Sequence, residues 1–152
     1  MLTNDQPAAW FLEPGLSILV GTVDRAGMPS SCRAIALTGN GSRLTVFVPI
    51  ATSQRVLQDV ATTRRLAVTA SQIVTHQTVQ FKGRSGDARI AADAEQALVQ
   101  GRFEAFCGVL DSVGVPRRLS GRLAHWPAFA IDLHVEESFD QTPGPHAGTR
   151  LR

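Results

Sequence analysis

Three strand-like segments follow one another within the first 48 residues, and the connections between them are short. All three are rich in β-branched or other apolar side chains: residues 15–23 (GLSILVGTV), 31–38 (SCRAIALT) and 44–48 (LTVFV). The first connection, DRAGMP, holds glycine and proline, and the second, GNGS, holds Asn40-Gly41, the strongest short hairpin signal. Parallel strands need crossovers of about a dozen residues or more, so these connections predict an antiparallel meander.

The rest of the chain adds further strands and two longer helices. The predicted strands are residues 65–70, 75–91 and 129–137, and the predicted helices are residues 53–61 and 93–114, with short helical stretches near the N-terminus and after Pro116. This mixture predicts an α+β, mainly β fold, an antiparallel barrel with helices packed outside. Residues 1–140 are expected to form one domain, and residues 141–152 hold too much proline and glycine for a regular element.

Each predicted helix carries a start signal and an apolar stripe. Ser53 is the expected N-cap of the first helix. Asp93 and Gln96 are expected to make a capping box in the second, which Gly114 ends. The expected buried stripes are Val56, Leu57 and Val60 in the first helix, and Leu98, Ala105, Phe106, Val109 and Val113 in the second.

Composition excludes several classes of protein. The net charge of +2 is too small to predict a nucleic-acid-binding face. Apolar runs are shorter than a membrane span, and the first basic residue is Arg25, so neither a membrane segment nor a secretory signal is predicted. Cys32 and Cys107 lie far apart and are expected to be free thiols in the cytoplasm. No histidine lies at zinc-ligand spacing from another histidine or a cysteine, so no metal site is predicted.

Two arginines occupy positions that allow two interpretations each. Strict alternation places Arg33 on the face of Ile35 and Leu37, where a buried guanidinium would need a partner, unless the side chain reaches water at the strand end. Arg55 lies in the first turn of a helix, where the helix dipole disfavours a cation. Arg55 is therefore either solvated or, together with Ser53 and free backbone N–H groups, part of a phosphate site.

The order of these features resembles the pyridoxamine 5′-phosphate oxidase-like family of FMN-binding split barrels over roughly residues 10–140. The matching features are an arginine on the second strand, an apolar third strand followed by Pro49, Ser53-x-Arg55 at a helix start, and the segments THQTVQFKG and FDQTPGP. The resemblance implies a Greek-key-like split β-barrel and a homodimer that holds FMN at its interface. It also implies the cofactor-binding residues Arg33, Ala34, Ile35, Val48, Pro49, Thr52, Ser53, Gln54, Arg55, Thr78 and Gln80.

The resemblance implies an FMN-dependent oxidoreductase that acts on a small molecule, and no catalytic residue is assigned. The tail DQTPGPHAGTRLR lacks the Trp- and Arg-containing segment of the true oxidases, and Leu37-Thr38 stands where those enzymes usually carry a lysine. Pyridoxamine phosphate is therefore not the expected substrate. The alternative is a flavin or haem carrier, or a sensor, without turnover; haem would need His76 or His134 as its ligand.

Overall fold

A computed structural model describes residues 9–152. Its strands are β1 (Ser17–Val23), β2 (Pro29–Ala34), β3 (Ala36–Gly39), β4 (Arg43–Pro49), β5 (Arg65–Ser71), β6 (Thr78–Ser85), β7 (Arg89–Ile90), β8 (Ala128–Asp140) and β9 (Thr149–Arg150). Its α-helices are α1 (Gln54–Thr63), α2 (Gln96–Ser112) and α3 (Arg117–Ser120), and single turns of 3-10 helix lie at Ala9–Leu12, Ile50–Thr52 and Asp93–Glu95. The short helical stretches predicted near the N-terminus and after Pro116 are present, although residues 1–8 lie outside the described part.

The strands form one antiparallel sheet in the order β2-β1-β5-β6-β8-β4-β3, and β7 and β9 each pair with β8. The first and last strands of this path, β2 and β3, are neighbours in the chain with only Ile35 between them. The sheet therefore curls until its two ends meet in one bent segment. The predicted mainly β fold, an antiparallel barrel with helices outside, is confirmed.

The bend at Ile35 corrects the prediction of a single strand over residues 31–38. Before the bend, β2 pairs with β1, and Ala34 lies opposite Ile18. After the bend, β3 pairs with β4, and the Ile35 N–H donates to the Phe47 carbonyl over 2.8 Å. The first three predicted strands are antiparallel, as expected, but the middle one divides its length between its two neighbours because it closes the barrel.

Two apolar cores lie on opposite sides of the curled sheet. The barrel interior holds the larger core, which α1 completes through Val56 and Val60 as predicted. The smaller core lies between α2 and the outside of β3, β4 and β8; it includes Ile35, Ala36, Phe47, Val99, Phe103, Cys107, Ala128 and Ala130. Burying each large aromatic or aliphatic side chain stabilises the fold by roughly 1.5–3 kcal/mol, so these contacts stabilise the packing of α2 against the sheet.

The buried stripe of α2 differs from the predicted one. Its buried residues are Val99, Phe103, Phe106 and Cys107, which recur at helical spacing. Val113, predicted as buried, is 48% exposed because the helix ends at Ser112. Gly114 follows with a φ of +95°, as expected for a residue that ends a helix. At the other end, the Ala92 N–H donates to Glu95 over 2.8 Å, and this bond replaces the predicted Asp93–Gln96 capping box.

The predicted strand over residues 75–91 is two strands, β6 and β7, separated by residues 86–88, and both pair antiparallel with β8. Within β6, the register with β8 shifts between Lys82 and Gly83. A Cβ on Gly83 would lie 1.9 Å from the His134 carbonyl oxygen, so only glycine fits this bulge. The bulge bends β6 at the level where β4, the neighbour of β8 on its other side, begins.

The C-terminal tail forms a strand, so the prediction that it holds no regular element is wrong. β9 pairs with the end of β8, where Arg150 lies opposite Phe139. An ion pair of 3.3 Å joins Arg150 to Glu137. Glycine allows the reversal that brings the tail back, because Gly144 and Gly148 both adopt a positive φ.

Candidate functional site

Within residues 9–152, the outside of β2, β1, β5 and β6 carries no packed helix apart from the contact of Phe106, on α2, with Arg33. Arg33, Leu19, Thr69 and Gln80 stand in register across these strands and share this side, which we call the outer face. Thr78 lies on it as well, two residues before Gln80. Leu19 is 45% exposed. The structure thus places three of the predicted cofactor residues, Arg33, Thr78 and Gln80, on one open surface.

Arg33 is half-buried at the border between the outer face and α2. Its Nη1 donates to the Ser17 hydroxyl over 3.1 Å, and its guanidinium carbon lies 5.0 Å from the centre of the Phe106 ring. Within residues 9–152 it pairs with no carboxylate. Burial lowers the pKa of Arg33 from its ordinary value, so the guanidinium lacks the solvation or anion that it would otherwise have.

The predicted grouping of Arg33 with Ile35 and Leu37 holds only in part. Ile35 packs under α2, on the same side of the sheet as Arg33, whereas Leu37 lies in the barrel interior. Ile35 and Ala36 both face α2, so the bend interrupts the alternation of the strand. Arg33 therefore points out of the barrel, toward a surface that a ligand can reach.

Arg55 is held by two carboxylates. Its guanidinium lies 3.5 Å from Asp24 and 3.9 Å from Asp59. Asp59 is almost fully buried and also accepts a hydrogen bond of 2.7 Å from the Thr22 hydroxyl. These acids explain a cation in the first turn of α1 without a phosphate. Arg33 and Arg55 share no partner in the described residues.

Ser53 stands at the predicted N-cap of α1, but its hydroxyl makes no capping bond. The hydroxyl oxygen is fully buried and has no hydrogen-bond partner within the described chain. A buried hydroxyl without a partner costs about 1–3 kcal/mol. The neighbouring predicted residues, Thr52 and Gln54, are exposed at the same helix start. This end of α1 therefore offers one unsatisfied polar atom.

Four predicted residues could reach a ligand only through their backbone. The side chains of Ala34, Ile35, Val48 and Pro49 are buried in the two cores or against β8. In the β4–β8 ladder, Val48 lies opposite Phe129, and Pro49 follows at its end. These four residues lie in the sheet next to the bend at Ile35, and none of them has a polar side chain that could bind a ligand.

The polar residues of β6 are bound into a network with the neighbouring strand and the tail. The Thr78 hydroxyl donates to Ser71 over 2.9 Å, and the Gln80 amide donates to Thr69 over 3.2 Å. The Thr78 N–H donates to the Thr142 hydroxyl over 3.0 Å. The tail thus fixes the end of the outer face that carries Thr78 and Gln80.

Several residues of the site are missing from the sequence-based prediction. The sequence-based prediction gives Asp59 no role, although a carboxylate four residues after Arg55 is an i,i+4 signal for an ion pair on a helix. Gly21, in the middle of β1, opens the outer face, and a glycine inside a strand is itself a sign of close approach by another group. The sequence does not predict that Arg65 and Lys82 lie on the same face, because only the pairing of β5 with β6 brings them together.

The remaining candidate features are metal ligands, membrane-spanning helices, histidines and cysteines. In residues 9–152, no group of three histidine, cysteine or acidic residues could hold a metal ion, and no helix is long and apolar enough to cross a membrane. His76 and His134 are both exposed. Cys32 and Cys107 are free thiols.

Comparison with known proteins rests on structure, because the sequence matches no protein-family model and no curated protein. HupZ from Group A Streptococcus is 16% identical, with 97% of this chain and 100% of that chain covered and a TM-score of 0.55. A candidate pyridoxamine 5′-phosphate oxidase from Lactobacillus delbrueckii is 15% identical, with 91% and 97% covered and a TM-score of 0.54. An F420 reductase is 12% identical, with 90% and 98% covered and a TM-score of 0.56.

The chain has the split-barrel fold. The match extends over nearly the whole length of the split barrels compared, so the curled sheet is part of a shared architecture. Identities this low establish the fold alone.

Proposed function

We propose that this split barrel binds FMN and acts as an oxidoreductase on a small molecule. The observation that carries the proposal is Arg33: a half-buried guanidinium on the open outer face, without a carboxylate partner among the described residues. A phosphate ester is the ligand that such a group binds well. When bound, FMN supplies hydride and electron transfer.

The residues at the start of α1 fit a phosphate less uniformly. Ser53 has an unsatisfied hydroxyl, and Thr52 and Gln54 are exposed beside it, which suits an anion at a helix N-terminus. Arg55 already has two carboxylates, so it would have to leave Asp24 to bind a phosphate. We therefore assign the main phosphate contact to Arg33, with Ser53 in support and Arg55 in a lesser role.

The remaining assignments concern the flavin ring and a second subunit. In this proposal, the backbone of Ala34, Ile35, Val48 and Pro49 lies along the ring. We propose a homodimer whose interface includes the end of the outer face that carries Thr78 and Gln80, which brings these residues to the flavin. The exposed Leu19 supports this proposal, because it lies in the same row as Gln80 and has no cover in the single chain. Two free cysteines fit a cytoplasmic location.

A titration with FMN and with riboflavin, which lacks the phosphate, tests the proposal. Arg33→Ala should weaken FMN binding roughly 10- to 100-fold, the value of a hydrogen bond to a charged group, and leave riboflavin binding unchanged. Arg55→Ala should weaken FMN binding less than Arg33→Ala. Arg43→Ala, at an exposed arginine on β4, is the matched control and should bind both compounds like the wild type. Wild-type FMN affinity in Arg33→Ala would refute the assignment.

The second function, a flavin or haem carrier or a sensor without turnover, gives a different result. Such a protein would hold its ligand as purified and would oxidise or reduce no added nicotinamide or pyridoxamine compound.

A further inference from the structure

A groove of about 500 Å³ lies on the outer face, apart from the residues assigned to FMN. It is lined by residues of β1, β2, β5 and β6, among them Gly21, Val23, Ser31, Arg65, Ala67 and Lys82. It occupies the end of the face opposite to Thr78 and Gln80. Its volume falls within the range of small-molecule sites, roughly 300–1,000 Å³.

The groove exists because three neighbouring strands each place a small residue at the same level. Gly21 lies opposite Ser31 on one side and Ala67 on the other. A Cβ on Gly21 would meet nothing within 4 Å, and its φ lies outside the positive region that favours glycine. Packing within the chain and backbone geometry therefore do not require glycine here, although glycine inside a strand is less stable than alanine. A glycine of this kind marks the close approach of another group.

The rim of the groove is positively charged. Arg65 lies directly opposite Arg84 in the pairing of β5 with β6. Lys82 lies two residues before Arg84 on β6, on the same side of the sheet, and opposite Ala67. Like charges directly opposite each other destabilise a sheet. Arg84 has Glu136 at 3.7 Å, whereas neither Arg65 nor Lys82 has an ion pair in the described residues.

The nearby acids do not neutralise these two cations. Glu137 lies opposite Lys82 on β8 but pairs with Arg150 over 3.3 Å. The Lys82 ammonium instead lies 5.1 Å from the centre of the Phe139 ring. Two cations without a carboxylate partner therefore stand beside a floor of small, uncharged residues.

We propose that this groove binds a small planar molecule that carries an anionic group at one end. The flat part lies over Gly21, Ser31 and Ala67, and a carboxylate, sulfonate or phosphate lies between Arg65 and Lys82. Val23 supplies an apolar contact to the flat part. The site is independent of FMN binding, because it uses none of the residues assigned to that cofactor.

Two fluorescent probes of the same shape test the groove. The first, 8-anilinonaphthalene-1-sulfonate, carries a sulfonate; the second, N-phenyl-1-naphthylamine, has the same aromatic body without the charge. The wild type should bind the sulfonate with one site per chain, and added salt should weaken that binding. Lys82→Gln and Arg65→Gln should each weaken the sulfonate about 3- to 10-fold and leave the neutral probe unchanged.

Variants of the floor separate shape from charge. Gly21→Val should weaken both probes, because its side chain fills the groove, and circular dichroism checks that the variant folds. If it does not fold, Ser31→Leu fills the exposed side of the same level and should give the same result. Arg43→Gln, at an arginine outside the groove, is the control and should bind both probes normally. Wild-type binding of the sulfonate in a folded floor variant, or in the Lys82→Gln/Arg65→Gln double variant, would overturn the proposal.

Discussion

The buried carboxylate of Asp59 gives the sharpest test of the packing around α1. Its side chain is 3% exposed and accepts a hydrogen bond of 2.7 Å from Thr22, while the largely exposed Arg55 lies 3.9 Å away. Thr22→Val keeps the shape of the side chain and removes the donor. A hydrogen bond to a buried charged group contributes about 1.5–3 kcal/mol, so the variant should lose that much free energy of unfolding.

Urea denaturation followed by circular dichroism measures this loss. For a domain of this length, 1 kcal/mol corresponds to roughly 2–4 °C, so the melting temperature should fall by about 3–12 °C. Thr45→Val is the matched control, because Thr45 donates over 2.6 Å to Asp132, which is exposed; it should cost below about 1 kcal/mol. Thr22→Val/Asp59→Leu should recover most of the loss, since both polar partners are then gone. Equal losses in Thr22→Val and Thr45→Val would show that burial of the accepting carboxylate does not set the value of the hydrogen bond.

Two further predictions concern the sheet and the acid range. Gly83→Ala should lower the free energy of unfolding, measured by urea denaturation, by about 1–3 kcal/mol or more, because its Cβ would overlap the His134 carbonyl. Gly101→Ala, in open space on α2, is the control and should raise it by about 0.5–1 kcal/mol. An unchanged free energy of unfolding in Gly83→Ala would contradict the bulge. The hydrogen bonds from Arg89 lower the pKa of Glu95 to about 2. The stabilisation from this pair is therefore present above the ordinary pKa of a glutamate and is lost as pH falls toward 2. Because the Arg89 side chain is half exposed and solvent screens the pair, the wild type should exceed Glu95→Gln in stability by below about 1 kcal/mol near neutral pH. The difference should be smaller at about pH 3, and an equal difference at both pH values would contradict this.

The sequence predicted the elements that depend on neighbouring residues. The turn at Asn40-Gly41, the apolar stripe of Val56 and Val60 and the helix end at Gly114 are all local signals, and the structure confirms them. The split-barrel fold followed from the order of these elements together with the resemblance of Arg33 and Ser53-x-Arg55 to known split barrels.

Features that depend on closure of the barrel could not be predicted in this way. The bend at Ile35 lies inside an unbroken apolar segment, so no turn residue announces it. Because of that bend, Arg33 points out of the barrel, on the opposite side from Leu37. The partners of Arg55 are equally non-local in part, since Asp24 lies in the turn between β1 and β2. The strand in the tail forms only because β8 extends to Asp140 and offers an edge.

The cofactor assignments of individual residues stay predictions. The structure places Arg33, Thr78 and Gln80 on one face and leaves Ser53 without a partner, and these observations support a ligand there. The pairing of Arg55 with Asp24 and Asp59 removes one of the original reasons for a phosphate. Arg33 is therefore the better-supported of the two predicted phosphate-binding arginines.

FMN binding is tested by the absorption spectrum of the purified protein, recorded after incubation with FMN and removal of unbound cofactor. If the protein binds FMN, the spectrum shows the two visible bands of an oxidised flavin, and denaturation releases about one FMN per chain, identified by its mass. A colourless protein, or one that shows the single sharp band of a haem, would contradict FMN binding.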